Sequence, residues 1–306
     1  MEIEQRPDYL ASLKSIETEN YIDRIFYRPL GFKIATRLQH TGITPNAITI
    51  ISIFIGVAGA SLFYFNNNLL LTLAGIVGLI VANILDCVDG QLARLTGIKS
   101  KIGRILDGVA GYFWFLTIYI ALATHLYQHS QQGWVYGLVV LSCLSHALQA
   151  AVTDYYKTLH LYFISPDAGK ELDTVATIRQ RLQTATGITR LFTTLYLYYT
   201  IIQHKVTPQL QQMLQTLHSL YPTADIPQQQ RVTFRRGSRM VMKIIDLLTF
   251  NGRSIPLFLI LLTGHVWLYF LYEIVFLNIV LVVAINQHEA LSRYFRLHLQ
   301  SNNQTV

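Results

Sequence analysis

The sequence predicts an all-α fold, a polytopic membrane helix bundle of six transmembrane helices with an N-terminal amphipathic surface helix. Of its 306 residues, 52% are apolar and only 13% are charged, whereas an average soluble domain has about 25% charged residues. The apolar residues also gather in runs of about 20, the length that crosses a bilayer as a helix. Helices are the expected spanning form because their backbone groups pair internally.

The region before the first span, residues 21–39, has apolar side chains along one broad side. Basic residues interleave with them: Arg24, Arg28, Lys33 and Arg37. This pattern predicts a helix that lies on the membrane surface. The alternative is an ordinary cytosolic helix packed on the bundle. Pro29 predicts a kink or break within it, because proline cannot donate the helical hydrogen bond.

Hydropathy predicts four clear spans at 47–65, 69–85, 109–126 and 134–152. The apolar run 255–285 is too long for one untilted span and too short for two. A hairpin at 263–265 resolves this if a fifth span starts near Val241 and a sixth runs over 266–285. The run 188–202 is interpreted as an interfacial amphipathic helix, with a further span as the alternative, because tyrosines and Arg190 accompany it.

The basic residues predict the orientation of the spans. The three predicted outer loops, 66–68, 127–133 and 263–265, contain no Lys or Arg, although the chain has 24 such residues. The positive-inside rule therefore places both termini and the 153–240 region in the cytosol. The net charge of +7 is interpreted as contact with anionic lipid and not with nucleic acid, because the basic residues flank the spans.

This topology predicts five segments along the chain. A cytosolic N-terminal part contains the amphipathic helix, two membrane parts contain spans one to four and five to six, and a cytosolic helical insertion without a strong core pattern separates them. A cytosolic tail follows. The boundaries are 1–43, 44–157, 158–240, 241–290 and 291–306.

Three carboxylates, Asp86, Asp89 and Asp107, lie on the flanks of the second and third spans. Ionised carboxylates beside a bilayer core are costly and usually functional. Asp86 and Asp89 are three residues apart, so they share a helix face. Oxygen ligands without Cys or His suit a hard cation such as Mg²⁺ or Mn²⁺. Each acid could instead pair with a nearby Lys or Arg, but three in register favour a metal site.

The segment from Asp86 to Asp107 resembles the signature of the CDP-alcohol phosphotransferase (CDP-alcohol phosphatidyltransferase class-I) family, D-x2-D-G-x2-A-R-x8-G-x3-D-x3-D. It matches the first seven fixed positions without a gap. The start of the first span, Thr44-Pro45-Asn46, is also similar to the family's. The fourth aspartate of the signature is replaced here by Gly111.

The resemblance implies a membrane enzyme of phospholipid synthesis, in which an acceptor alcohol attacks a CDP-alcohol and CMP is released. It implies that Asp86, Asp89 and Asp107 bind the metal ion. It also implies that Gly90 and Ala93 let the nucleotide approach closely, that Arg94 reaches the diphosphate, and that Gly103 lets the second and third spans pack. The predicted substrate-binding residues are Asn46, Gly90, Ala93, Arg94, Gly103, Asn251 and Arg253.

Asn251 and Arg253 come from the residues themselves and not from the resemblance. They fall in the predicted fifth span near the level of the carboxylates, where they could hold the acceptor's phosphate or hydroxyls. The alternative is that they snorkel to the interface or cap helix contacts. Glu273, deep in the sixth span, predicts a pairing partner in the bundle.

Gly111 can act neither as a ligand nor as a base, the roles of the family's fourth aspartate. Three interpretations stay open. In the first, the chain binds its substrates but turns them over slowly. In the second, another group such as Tyr112 is the base. In the third, the acceptor is already anionic and needs no base. The first predicts that Gly111→Asp raises turnover about 10²–10⁴-fold, the usual contribution of a general base.

The favoured activity is transfer of a phosphatidyl group from CDP-diacylglycerol to an anionic acceptor, as in phosphatidylinositol-phosphate synthesis. Alternatives are a CDP-amino-alcohol donor with a diacyl lipid acceptor, a silent CDP-lipid-binding homologue, and, last, an ion carrier using Asp89 and Glu273. The expected partners are these substrates and the lipid bilayer, with no nucleic acid, and a homodimer stays open. The predicted location is a multi-pass membrane protein with a cytosolic active site.

The topology is testable by cysteine labelling. Gln131 belongs to the second predicted outer loop and Gln229 to the predicted cytosolic region. The variants Gln131→Cys and Gln229→Cys should therefore react with an impermeant maleimide from opposite sides of a sealed vesicle. The unmodified chain, with its native Cys87 and Cys143, gives the background. Labelling of both positions from one side would contradict the six-span topology.

Overall fold

The structure is a computed structural model that describes residues 7–98, 100–165, 172–222 and 225–304. These residues form helices and no β-strand, so the predicted all-α fold is confirmed. Parts of the predicted N-terminal segment (1–6), of the 158–240 region (166–171 and 223–224) and of the tail (305–306) lie outside the described residues.

The α-helices are numbered along the chain. They are α1 (Pro7–Ala11), α2 (Arg28–Leu38), α3 (Pro45–Ser61), α4 (Leu69–Thr96), α5 (Lys101–Ser130), α6 (Val135–Ile164), α7 (Val175–Thr184), α8 (Gly187–Val206), α9 (Pro208–Leu220), α10 (Gln228–Ile245), α11 (Phe250–Thr263), α12 (Trp267–Leu271) and α13 (Leu277–Gln304). Short 3₁₀ turns cover Ile16–Thr18, Leu62–Phe65 and Asp246–Leu248, and π-helical turns cover Asp23–Tyr27 and Tyr272–Phe276.

Six helical stretches of the described chain are long and apolar enough to cross a membrane. They are Pro45–Phe65, Leu69–Thr96, Leu106–Ser130, Val135–Ile164, Gln228–Thr263 and Trp267–Ser301. Each matches one predicted span, and the hairpin at 263–265 is present as a turn at Gly264, whose φ is +74°. The segment around 188–202 forms α8, which is not among the six.

The helices extend beyond the predicted spans mainly at one end. The predicted outer ends agree with the helix ends to within a few residues, whereas α4, α6 and α13 continue well past the predicted inner ends. A span predicted from hydropathy ends at the first polar residues, but the backbone hydrogen bonds of the helix continue through those residues. The residues of the signature therefore lie on helices and not in a loop.

Local sequence fixes where these helices begin and end. Asn68 caps α4 by accepting from the backbone N–H groups of Leu70 and Leu71, and Gly97 ends α4 with a left-handed φ of +71°. Ser100 caps α5 by accepting from the Gly103 N–H at 2.8 Å. Such caps satisfy helix-end groups that otherwise lack a partner. Gly97 and Ser100 therefore bound the short connection between α4 and α5, the two helices that carry the carboxylates.

The chain divides into two compact units, which are described separately. Unit 1 contains Met1–Ser145 and Phe250–Phe276, and unit 2 contains His146–Thr249 and Leu277–Val306. This division follows packing, whereas the five predicted segments follow the membrane. The predicted segment boundaries therefore stay a prediction.

Unit 1 is organised around the close crossing of α3 and α4. A Cβ atom on Gly75 would lie 2.7 Å from the carbonyl oxygen of Gly59 and 2.6 Å from Cε1 of Phe63, and one on Gly78 would lie 3.0 Å from the Gly59 Cα. Small residues allow membrane helices to approach at backbone distance. Gly56 similarly faces the Trp114 indole of α5. These contacts set the spacing of α3, α4 and α5.

In unit 1, α2 packs on α4 rather than standing apart. Gly31, Phe32 and Ala35 are buried on this side, while Ile25 and Phe26 of the preceding π-helical turn are exposed. The expected kink at Pro29 is displaced: the irregularity is the π-helical turn that ends at Tyr27. Pro29 lies in the first turn of α2, directly after this π-helical turn.

Unit 2 has its own aromatic core. Phe163 stacks on Phe234 with ring centroids 4.0 Å apart, and Phe295 meets both rings edge-on. The Glu289 carboxylate accepts from the Gln209 and Leu210 N–H groups at 2.6 and 3.1 Å, so it caps α9. The 158–240 segment, expected to lack a strong core pattern, nevertheless contains buried apolar residues: Ile178, Leu210, Met213, Leu217 and Phe234.

The α3–α4 crossing yields a stability prediction. Gly75→Ala should lower the thermal unfolding midpoint of the detergent-solubilised protein, because the added methyl group meets backbone and costs about 1–3 kcal/mol of overpacking. Gly137→Ala in α6 is the matched control, since its Cβ would meet nothing within 4 Å. Tryptophan fluorescence during heating measures both. A Gly75→Ala midpoint equal to that of the control would contradict this packing.

Candidate active site

The three motif carboxylates come together in unit 1. Asp86 and Asp89 project from α4 and Asp107 from α5, and each offers an oxygen such that these ligand atoms all lie within 4.8 Å of one another. Asp89 is buried, Asp86 is half-buried and Asp107 is exposed. The cluster thus has a closed side and an open side. Three carboxylates this close repel one another unless positive charge balances them.

The donor set fits a hard divalent cation. All three side chains offer oxygen, the ligand type that Mg²⁺ and Mn²⁺ prefer. The buried Oδ2 atom of Asp89 has no hydrogen-bond partner among the described residues. A buried carboxylate oxygen without a partner is costly, and a cation would compensate it. The residues present are therefore suited to hold a metal ion.

Side-chain cations of the N-terminal region also surround the cluster. Arg28 interacts electrostatically with all three carboxylates and forms an ion pair with Glu19 at 2.9 Å. Among the cations acting on Asp107, Lys14 acts most strongly, followed by Arg28 and Arg94. Of these cations, the sequence alone predicts only Arg94 at the site and predicts Arg28 at the membrane surface. Only the fold brings Lys14 and Arg28 to the carboxylates, since they precede Asp86 by 72 and 58 positions in the sequence.

Arg94 ties the N-terminal segment to α4. Its Nε donates to the backbone carbonyl of Ser12, and the Gln91 amide donates to the Ser12 hydroxyl at 3.1 Å. Tyr9 packs edge-on against Phe32 of α2 at a centroid distance of 5.3 Å. The segment around Ser12 is thereby held beside the carboxylates. In this structure, Arg94 organises the wall of the site as well as supplying charge.

The motif glycines have distinct surroundings. A Cβ on Gly103 would collide with Asn46 Oδ1 at the start of α3 and with Ser100. Asn46 in turn donates from Nδ2 to the Ser100 hydroxyl at 3.0 Å. The expected packing role of Gly103 thus needs correction, because its nearest neighbour belongs to the first span and not to the second. A Cβ on Gly90 would lie 3.2 Å from the Arg94 guanidinium, and Ala93 is half-buried.

Position 111 opens onto space. A Cβ atom built on Gly111 would meet no atom within 4 Å, and the same holds for Gly108. Gly111 follows Asp107 by one helical turn of α5, so the two positions share a face. No other described side chain fills the place where the signature has its fourth carboxylate.

The two α11 residues expected to contact the acceptor have acidic partners instead. Asn251 donates from Nδ2 to Asp23 Oδ1 at 2.8 Å. Arg253 donates to Glu273 in a buried ion pair, and its guanidinium lies 5.8 Å from the centroid of the Phe115 ring. The partner expected for Glu273 is therefore Arg253. With only 2% of its side chain exposed, Arg253 does not snorkel to an interface, and any acceptor contact stays a prediction.

Comparison with known proteins agrees with the geometry. The sequence profile of the CDP-alcohol phosphatidyltransferase family matches residues 42–207, which is more than half of the chain. The chain belongs to this family. The family uses a CDP-alcohol and an alcohol acceptor. The matched region contains all three clustered carboxylates as well as Gly111.

The chain is similar to two synthases over short aligned stretches. The chain is 45% identical over 75 residues to an archaetidylinositol phosphate synthase of Pyrococcus horikoshii, covering 24% of this chain and 38% of that protein. It is 32% identical over 107 residues to a bifunctional IPC transferase and DIPP synthase of Aquifex aeolicus, covering 34% and 24%. The chain thus matches less than half the length of either relative.

Asp23 is a further acid near the family motif that the sequence alone does not predict. It lies in the π-helical turn Asp23–Tyr27 and interacts electrostatically with Asp86. Burial and the neighbouring Asp23 carboxylate raise the pKa of Tyr27 to about 12, so Tyr27 remains a neutral hydroxyl at pH 7. A π-helical turn is rare and often occurs at functional sites. Only the fold brings Asp23 to the motif, since it precedes Asp86 by 63 positions in the sequence.

The carboxylate cluster yields a metal-binding prediction. Asp86→Asn, Asp89→Asn and Asp107→Asn each remove a charged ligand and should weaken metal-dependent CMP binding by about tenfold or more, equivalent to about 1.4 kcal/mol. Calorimetric titration of CMP with Mg²⁺ or Mn²⁺, and again with EDTA, measures this. Asp225→Asn replaces an exposed carboxylate of unit 2 and is the control. CMP affinity that ignores both EDTA and the three substitutions would refute the metal site.

Proposed function

We propose that this chain transfers a phosphatidyl group from CDP-diacylglycerol to a phosphorylated polyol of the inositol phosphate class, releasing CMP. The carboxylate cluster on α4 and α5 carries this proposal, together with membership of the family. The catalytic groups belong to helices that cross the membrane, which suits a lipid-linked donor. On the predicted topology, the reaction takes place at the cytosolic side.

The proposed CDP-alcohol donor is supported by the family signature. A CDP-alcohol has a diphosphate whose charge must be neutralised when CMP leaves. Asp86, Asp89 and Asp107 would hold a divalent cation, Mg²⁺ or Mn²⁺, which supplies Lewis-acid stabilisation of phosphate charge when bound. Arg94, beside Gly90, can add charge-assisted hydrogen bonds to the same anion.

The anionic acceptor is supported by the cations on the N-terminal side. Lys14 and Arg28 both act on Asp107, and Lys14 is exposed. Exposed cations beside an open site attract an anionic substrate and raise its local concentration. The names of both relatives include synthase, and one of them names an inositol phosphate lipid. A phosphorylated polyol carries the negative charge that these cations would attract, and it also agrees with the names of the two relatives.

In the proposed reaction the acceptor hydroxyl attacks the phosphorus that carries the donor's alcohol. A new P–O bond to the acceptor forms, and the P–O bond to CMP breaks. The chain's residues orient the two phosphates and exclude water from the attacked phosphorus. Positioning alone contributes much of the rate, because it replaces a bimolecular encounter by reaction within one complex.

A substrate panel tests the function. Radiolabelled CDP-diacylglycerol or CDP-ethanolamine is supplied to the purified protein in lipid with candidate acceptors, and lipid products and CMP are separated. We expect CMP and a new anionic phospholipid only with CDP-diacylglycerol and a phosphorylated polyol. Asp89→Asn should abolish both products, while Asp225→Asn should leave both unchanged.

Other outcomes of the panel point to specific alternatives. A product from CDP-ethanolamine and a diacyl lipid would reassign the donor. CDP-lipid binding without CMP release, in both the unmodified chain and Gly111→Asp, would indicate a binding protein without turnover. Metal flux in proteoliposomes that needs no CDP-alcohol would favour an ion carrier.

A further inference from the structure

Gly111 leaves the family motif without its last carboxylate, and the structure contains space at that position. Nothing lies within 4 Å of a Cβ built there, and Gly108 on the same helix is equally open. A group that replaced this carboxylate would have to reach the region from a different element of unit 1.

An aromatic cluster connects this region to the N-terminal segment. Trp114 and Phe115 follow Gly111 by three and four residues on α5, and their ring centroids lie 5.9 and 6.1 Å from that of Phe250. Tyr27 packs edge-on against the same Phe250 ring at 6.2 Å. The π-helical turn Asp23–Tyr27 thus packs against the part of α11 that contacts α5 one turn beyond Gly111.

Asp23 is held beside α11 by a side chain of that helix. Asn251, the residue after Phe250, donates to Asp23 Oδ1 at 2.8 Å. Asn251 is buried and belongs to a helix that is fixed by the Arg253–Glu273 ion pair. The carboxylate of Asp23 is therefore oriented by a neighbour with little freedom to move.

Asp23 is not one of the three carboxylates that cluster as metal ligands. Asp23 interacts electrostatically with Asp86 but does not belong to the group whose ligand atoms lie within 4.8 Å of one another. A carboxylate that acts on Asp86 but lies outside the ligand group can accept a proton without giving up a metal bond.

We propose that Asp23, oriented by Asn251, supplies the carboxylate that position 111 lacks and accepts the proton of the acceptor hydroxyl. This inference rests on the proposed function. The acceptor O–H bond breaks, its proton goes to Asp23, and its oxygen pair forms the new P–O bond. The P–O bond to CMP breaks, CMP leaves with that electron pair, and Asp23 then releases the proton to water.

Asp23→Asn is the first test. The change keeps the shape of the side chain and an oxygen that can accept from Asn251, so folding and CDP-diacylglycerol binding should be retained. Loss of a general base should lower kcat about 10²–10⁴-fold while KM for the donor and the unfolding midpoint stay the same. Asp225→Asn, which changes an exposed carboxylate outside the site, should leave kcat unchanged. A loss of kcat in Tyr112→Phe as large as that in Asp23→Asn would assign the base to Tyr112 instead.

The decisive measurement combines both positions. In the Asp23→Asn background, Gly111→Asp should restore kcat to within about tenfold of the unmodified chain, because it returns a base to the site. In the unmodified chain, Gly111→Asp should change kcat far less than the gain that the sequence alone predicts. A merely structural role of Asp23 would not be rescued by a carboxylate at position 111.

The outcomes separate this inference from the proposed function. Turnover of the unmodified chain with full activity in Asp23→Asn would overturn the role of Asp23 and leave the function intact. A loss in Asp23→Asn that Gly111→Asp does not restore would also overturn it, as would an inert unmodified chain that Gly111→Asp activates. Absence of CMP release in every variant would remove the proposed function and this inference together.

Discussion

Three carboxylates within 4.8 Å of one another, on helices that cross a membrane, are the constraint on which unit 1 depends. Carboxylates in such a setting are costly unless cations or a metal ion balance them. The surrounding features are consistent with this requirement. Arg28 and Arg94 come from different elements, and the buried oxygen of Asp89 remains available to a cation.

Close backbone packing makes the cluster possible. The glycines at the α3–α4 crossing and the contact between Gly103 and Asn46 bring the helix ends together, so that side chains from α4 and α5 meet. Larger residues at these points would push α4 or α5 away from α3, on which both pack. The family signature thus combines residues that do chemistry with residues that permit the approach.

The N-terminal segment belongs to the site as well as to the membrane-proximal surface. Ser12 accepts from Arg94, Asp23 accepts from Asn251, and Arg28 balances the carboxylates. Its amphipathic pattern alone predicts a position on the lipid surface. The exposed Ile25 and Phe26 are compatible with that assignment, while the opposite side of the segment packs on α4.

The sequence by itself determined the helical class, the six spans, the hairpin at Gly264 and the identity of the three carboxylates. These depend on local signals: apolar runs of bilayer length, caps and turn residues, and a fixed spacing along two helices. Tertiary structure alone decided that Asn251 holds Asp23, that Arg253 pairs with Glu273, and that Gly111 opens onto space. Those facts join residues far apart in the chain, and no periodicity or spacing encodes which distant side chains meet when the helices pack.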